Sequence, residues 1–93
     1  MQKHVKVYMN HFGIGETDVW RCEACSREFQ INNGLDIHHI QGRIGQDADA
    51  ITNIMCLCVK CHERAHHSKY PVSKDEFQLI HNYFMMGDRR QFL

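Results

Sequence analysis

Two Cys-x-x-Cys pairs, Cys22/Cys25 and Cys58/Cys61, constrain what this chain can fold into more than any other feature. Four thiolates spaced as two knuckles suit a closed, tetrahedral zinc site. With 93 residues the chain buries too little apolar surface to be secure on packing alone. Zinc supplies the missing stability, because its binding energy becomes folding energy. The metal-free chain is therefore expected to fold poorly or aggregate. The insert between the pairs, the 32 residues from 26 to 57, carries a double histidine, His38-His39, and the second knuckle runs into His62-Glu-Arg-Ala-His66. Imidazoles converging from separate segments suit an open, reactive metal site. A chain holding both kinds of site points to an enzyme rather than a passive zinc module.

Five cysteines also raise a secreted disulfide framework, but the odd count, the x-x spacing and the lack of an apolar leader after Met1 argue against it. Cys56, the leftover, reads as a small buried hydrophobe. Apolar runs are too short for a membrane span, so the expectation is a soluble, cytoplasmic protein with no membrane partner. Eleven basic and eleven acidic residues cancel, unlike a strongly basic DNA binder. Local sign can still differ. Arg21, Arg27, Lys60, Arg64 and Lys69 lie near the knuckles, while Asp47, Asp49, Asp75 and Asp88 lie elsewhere.

No repeat or linker divides residues 1–93, which read as one domain. Val5, Tyr8, Met9 and Phe12 form a helical stripe, though Val5, Val7 and Met9 also alternate as a strand would. Trp20 to Cys25 reads as a short strand entering the first knuckle. Leu35-Asp-Ile-His-His-Ile40 alternates as a strand, residues 41–50 form a polar loop with Gly42 and Gly45, and Ile54 to Leu57 suits a second strand. The second knuckle should open a helix through about His67, closed by Pro71. Ser73 and Glu76 make a capping-box signature for a last helix over about 74–86, ending at Gly87. Phe77, Ile80 and Phe84 are its apolar stripe. Leu79, Tyr83, Met85 and Met86 are surplus apolar positions that either pack on the core or form a homodimer contact. The fold class is α+β.

On a helix, His62 and His66 advance by about 400° and so share a face within about 40°, whereas His67 is displaced by about 140°. His38 and His39 point to opposite faces of a strand. That allows one ring to be a ligand and the other a general base. Asp36 shares a face with His38 and could orient a ligand, bind metal itself, or sit solvated at a strand edge.

Together, Asp36-Ile-His38-His39-Ile40, Asn53-Ile-Met-Cys-Leu-Cys58-Val-Lys-Cys61-His62 and His66 resemble the HNH endonuclease family, in its zinc-containing branch with two Cys-x-x-Cys knuckles. The resemblance covers about residues 20–67, leaving 1–19 and 68–93 as flanks. It implies a ββα-metal core, two antiparallel strands and a helix around one divalent ion, stapled by a four-cysteine zinc site. It also implies a metal-dependent DNA endonuclease: His38 and His62, with His66, hold the ion, His39 acts as general base, and Asn53 holds the loop or the imidazole. The products would be 5′-phosphate and 3′-hydroxyl ends. Mg²⁺ or Mn²⁺ would serve as the catalytic ion, and the all-imidazole set also suits Ni²⁺ or Zn²⁺, the last binding firmly enough to inhibit. Arg43 is a candidate phosphate contact. Small proteins of the family also work in restriction systems and beside phage packaging machinery.

Two other readings compete. His62-Glu63-Arg64-Ala65-His66 matches the His-Glu-x-x-His zinc protease motif, with Glu76 or His81 as the only candidate third ligand. A non-catalytic zinc module for nucleic-acid or protein recognition would keep the cysteines but has no need of His39 or Asn53. The DNA form cut, and any sequence preference, leave no mark that can be read.

Overall fold

A computed structural model describes residues 2–30, 34–66 and 69–93. Its elements run α1 (Lys3–Phe12), β1 (Val19–Arg21), β2 (Glu28–Gln30), β3 (Leu35–His39), a 3-10 turn (Ile51–Asn53), β4 (Ile54–Cys58), α2 (Val59–Glu63) and α3 (Lys74–Met85). The strands form two antiparallel pairs, β1 with β2 and β3 with β4. This is an α+β fold with flanking helices, as the sequence predicts.

The N-terminal ambiguity resolves to helix. Tyr8 is buried and stacks on Trp20 of β1 at 5.7 Å, which a strand with the other alternation would not achieve. Gly13 ends α1 at φ 65°, a left-handed position that costs glycine little. The strand expected over Trp20 to Cys25 is confined to Val19–Arg21; the first knuckle is the turn of a hairpin whose return strand, β2, the sequence did not announce. Cys22 N donates to Arg27 O, Ser26 N donates to Cys22 O, and Ser26 itself takes φ 66°.

The β3–β4 hairpin forms the centre. Its register pairs Leu35 with Cys58, Ile37 with Cys56 and His39 with Ile54. All five residues of β4 are buried because both faces are covered. Met55 and Leu57 face a cluster with the cysteine knuckles, Phe77 and Ile80. Ile54 and Cys56 face the other way, into a cluster with Tyr8, Trp20 and Ile37. One face therefore carries α2 and α3, and the opposite face carries α1.

Two boundaries differ from expectation. The helix after the second knuckle stops at Glu63 instead of reaching His67, which lies outside the described residues. Ala65 N and His66 N bond back only three residues, to His62 O and Glu63 O, so the chain tightens into a turn. α3 begins as its cap predicts: Ser73 Oγ accepts from Glu76 N at 3.1 Å and donates to Glu76 Oε1. Of its surplus apolar residues, Tyr83 stacks on Phe92 of the following segment, while Leu79 and Met86 stay exposed. That segment returns to the first knuckle, with Phe92 N and Leu93 N donating to Ala24 O.

No helix among the described residues is long and apolar enough to cross a membrane.

Candidate metal and catalytic site

The structure gathers the four knuckle cysteines so that their sulfurs lie within 4.8 Å of one another. Zinc–sulfur bonds of about 2.3 Å require tetrahedral sulfur–sulfur edges of about 3.8 Å. Cys25 Sγ and Cys58 Sγ are 3.8 Å apart, so the donor set fits zinc. The thiols also need a cation. A hydrogen bond with Cys61 pulls Cys22 down to about 5, burial and the charge on Cys22 push Cys25 up to about 11, and Cys61 is pushed up by its bond to Cys22 and by burial. Cys56 lies outside the cluster, fully buried, its thiol pushed up by burial.

The histidines separate as the strand geometry requires. His38, on the α2 face of β3, has its ring centroid 4.9 Å from that of His62 and 5.7 Å from that of His66, and His62 and His66 are 5.3 Å apart. Their donor nitrogens fall within 4.8 Å of one another. Three imidazoles beside an open cavity of about 300 Å³ fit a divalent ion that keeps room for substrate. Burial, then the neighbouring His62 and His66, pushes His38 down to about 4, which keeps its lone pair available. Burial likewise lowers His62, partly offset by Asp36. Asp36 Oδ2 lies 3.3 Å from His62 Nδ1, a placement from which a carboxylate can orient the ring.

His39 points to the α1 face and lines the same cavity with Asp36, His38, Gly42, Arg43, His62 and His66. Its Nε2 is 2.8 Å from Asp49 Oδ1. A carboxylate there fixes the proton on Nε2 and leaves Nδ1 as an acceptor. The same hydrogen bond holds the Asp49 carboxyl below its ordinary value. Asn53 does not touch the imidazole. Its Oδ1 accepts from Gln41 N, and its Nδ2 donates to Gly42 O and Ala48 O, clasping the loop between β3 and the 3-10 turn.

Asp49, His4 and Glu23 were given no part by the sequence, and His81 entered it only as a candidate third ligand of the protease alternative. His4 of α1 packs its ring 4.6 Å from that of His39. Glu23, between the first two cysteines, is buried and bonded to Tyr8 Oη, Cys56 N and His81 Nδ1, the last at 2.6 Å. His81 Nε2 meets Ile51 O at 2.6 Å, so the ring is held between two acceptors. Burial opposes its charge, but the bond and attraction of Glu23 win and raise its pKa. None of these pairings has a local sequence signature.

The protease alternative fails on geometry. His81 is bound to Glu23 and Glu76 to the α3 cap, so neither joins His62 and His66; the nearby imidazole is His38. Glu63 does not line the cavity.

The fold, with its four-cysteine cluster and three-histidine cavity on a β-hairpin, is that of a small α+β domain with two candidate metal sites. The model of the HNH endonuclease family matches residues 22–68, half of the chain, and the chain belongs to that family. It is similar to the "Type IV methyl-directed restriction enzyme EcoKMcrA" of Escherichia coli (strain K12), 36% identical over 53 residues, covering 52% of this chain and 19% of the relative. It is also similar to the "Putative HNH nuclease YajD" of Salmonella typhimurium and of Escherichia coli (strain K12), 40% identical over 53 residues, covering 55% of this chain and 45% of each relative. The chain thus spans less than half the length of these relatives. No solved structure matches.

Proposed function

We propose that residues 1–93 act as one HNH nuclease unit that hydrolyses phosphodiester bonds in DNA, leaving 5′-phosphate and 3′-hydroxyl ends. The observation that carries this reading is the shared cavity, which His39, its Nε2 held by Asp49, lines together with three imidazoles, His38, His62 and His66. His38, His62 and His66 would hold a single divalent ion, Mg²⁺ or Mn²⁺ in the first instance. When bound, that ion supplies Lewis-acid stabilisation of the charge that builds up as the phosphodiester bond breaks.

The chain's own residues do the rest. His39 Nδ1 takes the proton from water attacking phosphorus in line, while Asp49 holds the ring's tautomer and stabilises the imidazolium that forms. The oxygen–phosphorus bond forms as the bond to the 3′ oxygen breaks, and that oxygen takes a proton from solvent. Asn53 keeps the loop closed so that Arg43 faces the cavity, where a guanidinium suits a phosphate oxygen. Work inside the cytoplasm, alone, as a homodimer, or with a restriction or phage packaging partner, belongs to this same reading. The non-catalytic zinc module is disfavoured because it gives His39 and Asp49 nothing to do.

The test is nicking of supercoiled plasmid with Mg²⁺ or Mn²⁺. His39→Ala should lower the rate by about 10²–10⁴-fold, the usual contribution of a general base, with zinc content and fold intact. Equal nicking by both proteins would remove His39 from the role. No nicking by a folded, metal-loaded wild type would favour the recognition module.

A further inference from the structure

The face of β3 opposite the three-histidine cluster carries a second group of donors. His4 of α1, His39 of β3 and Asp49 of the loop place one donor atom each within 4.8 Å of one another. His4 and His39 are both buried. His4 makes no side-chain hydrogen bond among the described residues, its ring resting on His39. Burial, then the proximity of His39 and Arg43, lowers its pKa and so favours the neutral ring, which offers one nitrogen lone pair to a ligand. Two imidazoles and a carboxylate are a donor set used for Zn²⁺ and Fe²⁺, and one that Mg²⁺, which prefers oxygen, does not seek. The positive Arg43 works against a cation here, whereas Asp49 and Asp36 favour one.

We propose that His4, His39 and Asp49 form a second, inhibitory site for an imidazole-seeking divalent cation such as Zn²⁺. The inference rests on His39 being the base. A neutral imidazole carries one proton. If Nε2 gives its lone pair to a cation, that proton moves to Nδ1, and the acceptor facing the cavity becomes a donor. The base is thereby disabled while the catalytic ion stays in place. His39 and Asp49 lie inside the matched family region and His4 outside it, so the N-terminal helix completes a site that the core begins.

The test separates binding from activity. In zinc-loaded His38→Ala/His62→Ala protein, where the cavity site is disabled, calorimetry should find one further Zn²⁺ equivalent. Removing even an outer-shell partner costs roughly 10–100-fold in metal affinity, so His4→Phe, which keeps a ring on His39, should cost at least as much. His4→Gln serves as the second variant, and circular dichroism confirms that both fold. Absence of the extra equivalent overturns the site whether or not the protein is a nuclease. In otherwise wild-type protein, Zn²⁺ added to Mg²⁺-driven nicking should inhibit His4→Phe at least about tenfold less strongly. Equal inhibition of both, with the extra equivalent present, overturns the switch.

Discussion

The two metal clusters stand on either side of Cys58-Val-Lys-Cys61-His62, yet they are built to opposite plans. The four sulfurs, drawn from the β1–β2 turn and from the junction of β4 with α2, lie within 4.8 Å of one another and three of the four cysteines are buried. The three imidazoles sit beside an open cavity, and His66 is exposed. A zinc ion held by the four sulfurs would be saturated, whereas a divalent ion held by the three imidazoles would keep positions free. A closed set contributes to folding and an open set to chemistry, and α2 carries residues of both within two positions, Cys61 and His62.

The sharpest way to break this contrast is to remove the staple. Structural zinc is worth about 10–16 kcal/mol in small zinc modules, more than a domain of this size has to spare. Chelation, or Cys61→Ser, should abolish the cooperative thermal transition seen by circular dichroism. A retained transition would mean that the hydrophobic clusters suffice alone.

Next in size is the buried pair that ties the closed cluster to the rest. Glu23→Gln leaves His81 without its counter-charge, and breaking such a pair costs about 3–5 kcal/mol. Replacing both partners with apolar residues should not restore stability, because Tyr8 Oη and Cys56 N would lose their acceptor. Denaturant midpoints of the single and double variants decide this, and recovery in the double variant would rule the shared acceptor out.

The open cluster should respond the other way. His62→Ala is expected to cut nicking by about a hundredfold or more while moving the melting temperature only a few degrees. A collapse of the fold instead would make His62 part of the staple.

The smallest effect is on pH. The unfolded chain binds a proton at His38 near 6.5, whereas the folded state resists until about 4. The unfolded state thus holds more protons between those values, so this contribution is fully present above 6.5 and is lost as pH falls toward 4. His81, raised in the fold, acts in the opposite sense: its contribution is present at low pH and fades as pH rises through its elevated pKa. Midpoints at pH 7 and pH 5 should therefore show a shallow acid loss that His38→Asn flattens. A slope unchanged in that variant would assign the loss to other groups.

What could be seen in the sequence was whatever repeats at short range. The x-x knuckles, the alternation through His38 and His39, the i, i+4 histidines and the Ser73 cap all declare themselves within a few residues. The ends of elements were less visible, since α2 stops at Glu63 because of a turn that propensity does not mark. Long-range partners were invisible. Asp49 meets His39 across ten residues, Glu23 meets His81 across 58, and Ser26 reaches Arg89 O across 63. Only tertiary packing selects these from the many acids and histidines available.

The adjacency of His38 and His39 on one strand has an evolutionary consequence. The polar loop between β3 and β4 can gain or lose residues at modest entropic cost. A one-residue insertion within Leu35–Ile37 that kept the downstream register would leave the histidines alone. The same insertion shifting that register by one would present His38 to α1 and His39 to α2, exchanging the faces the two rings occupy. Length variation in such domains should therefore accumulate in the loop, and inside β3 it should survive only where the register of His38 and His39 is kept.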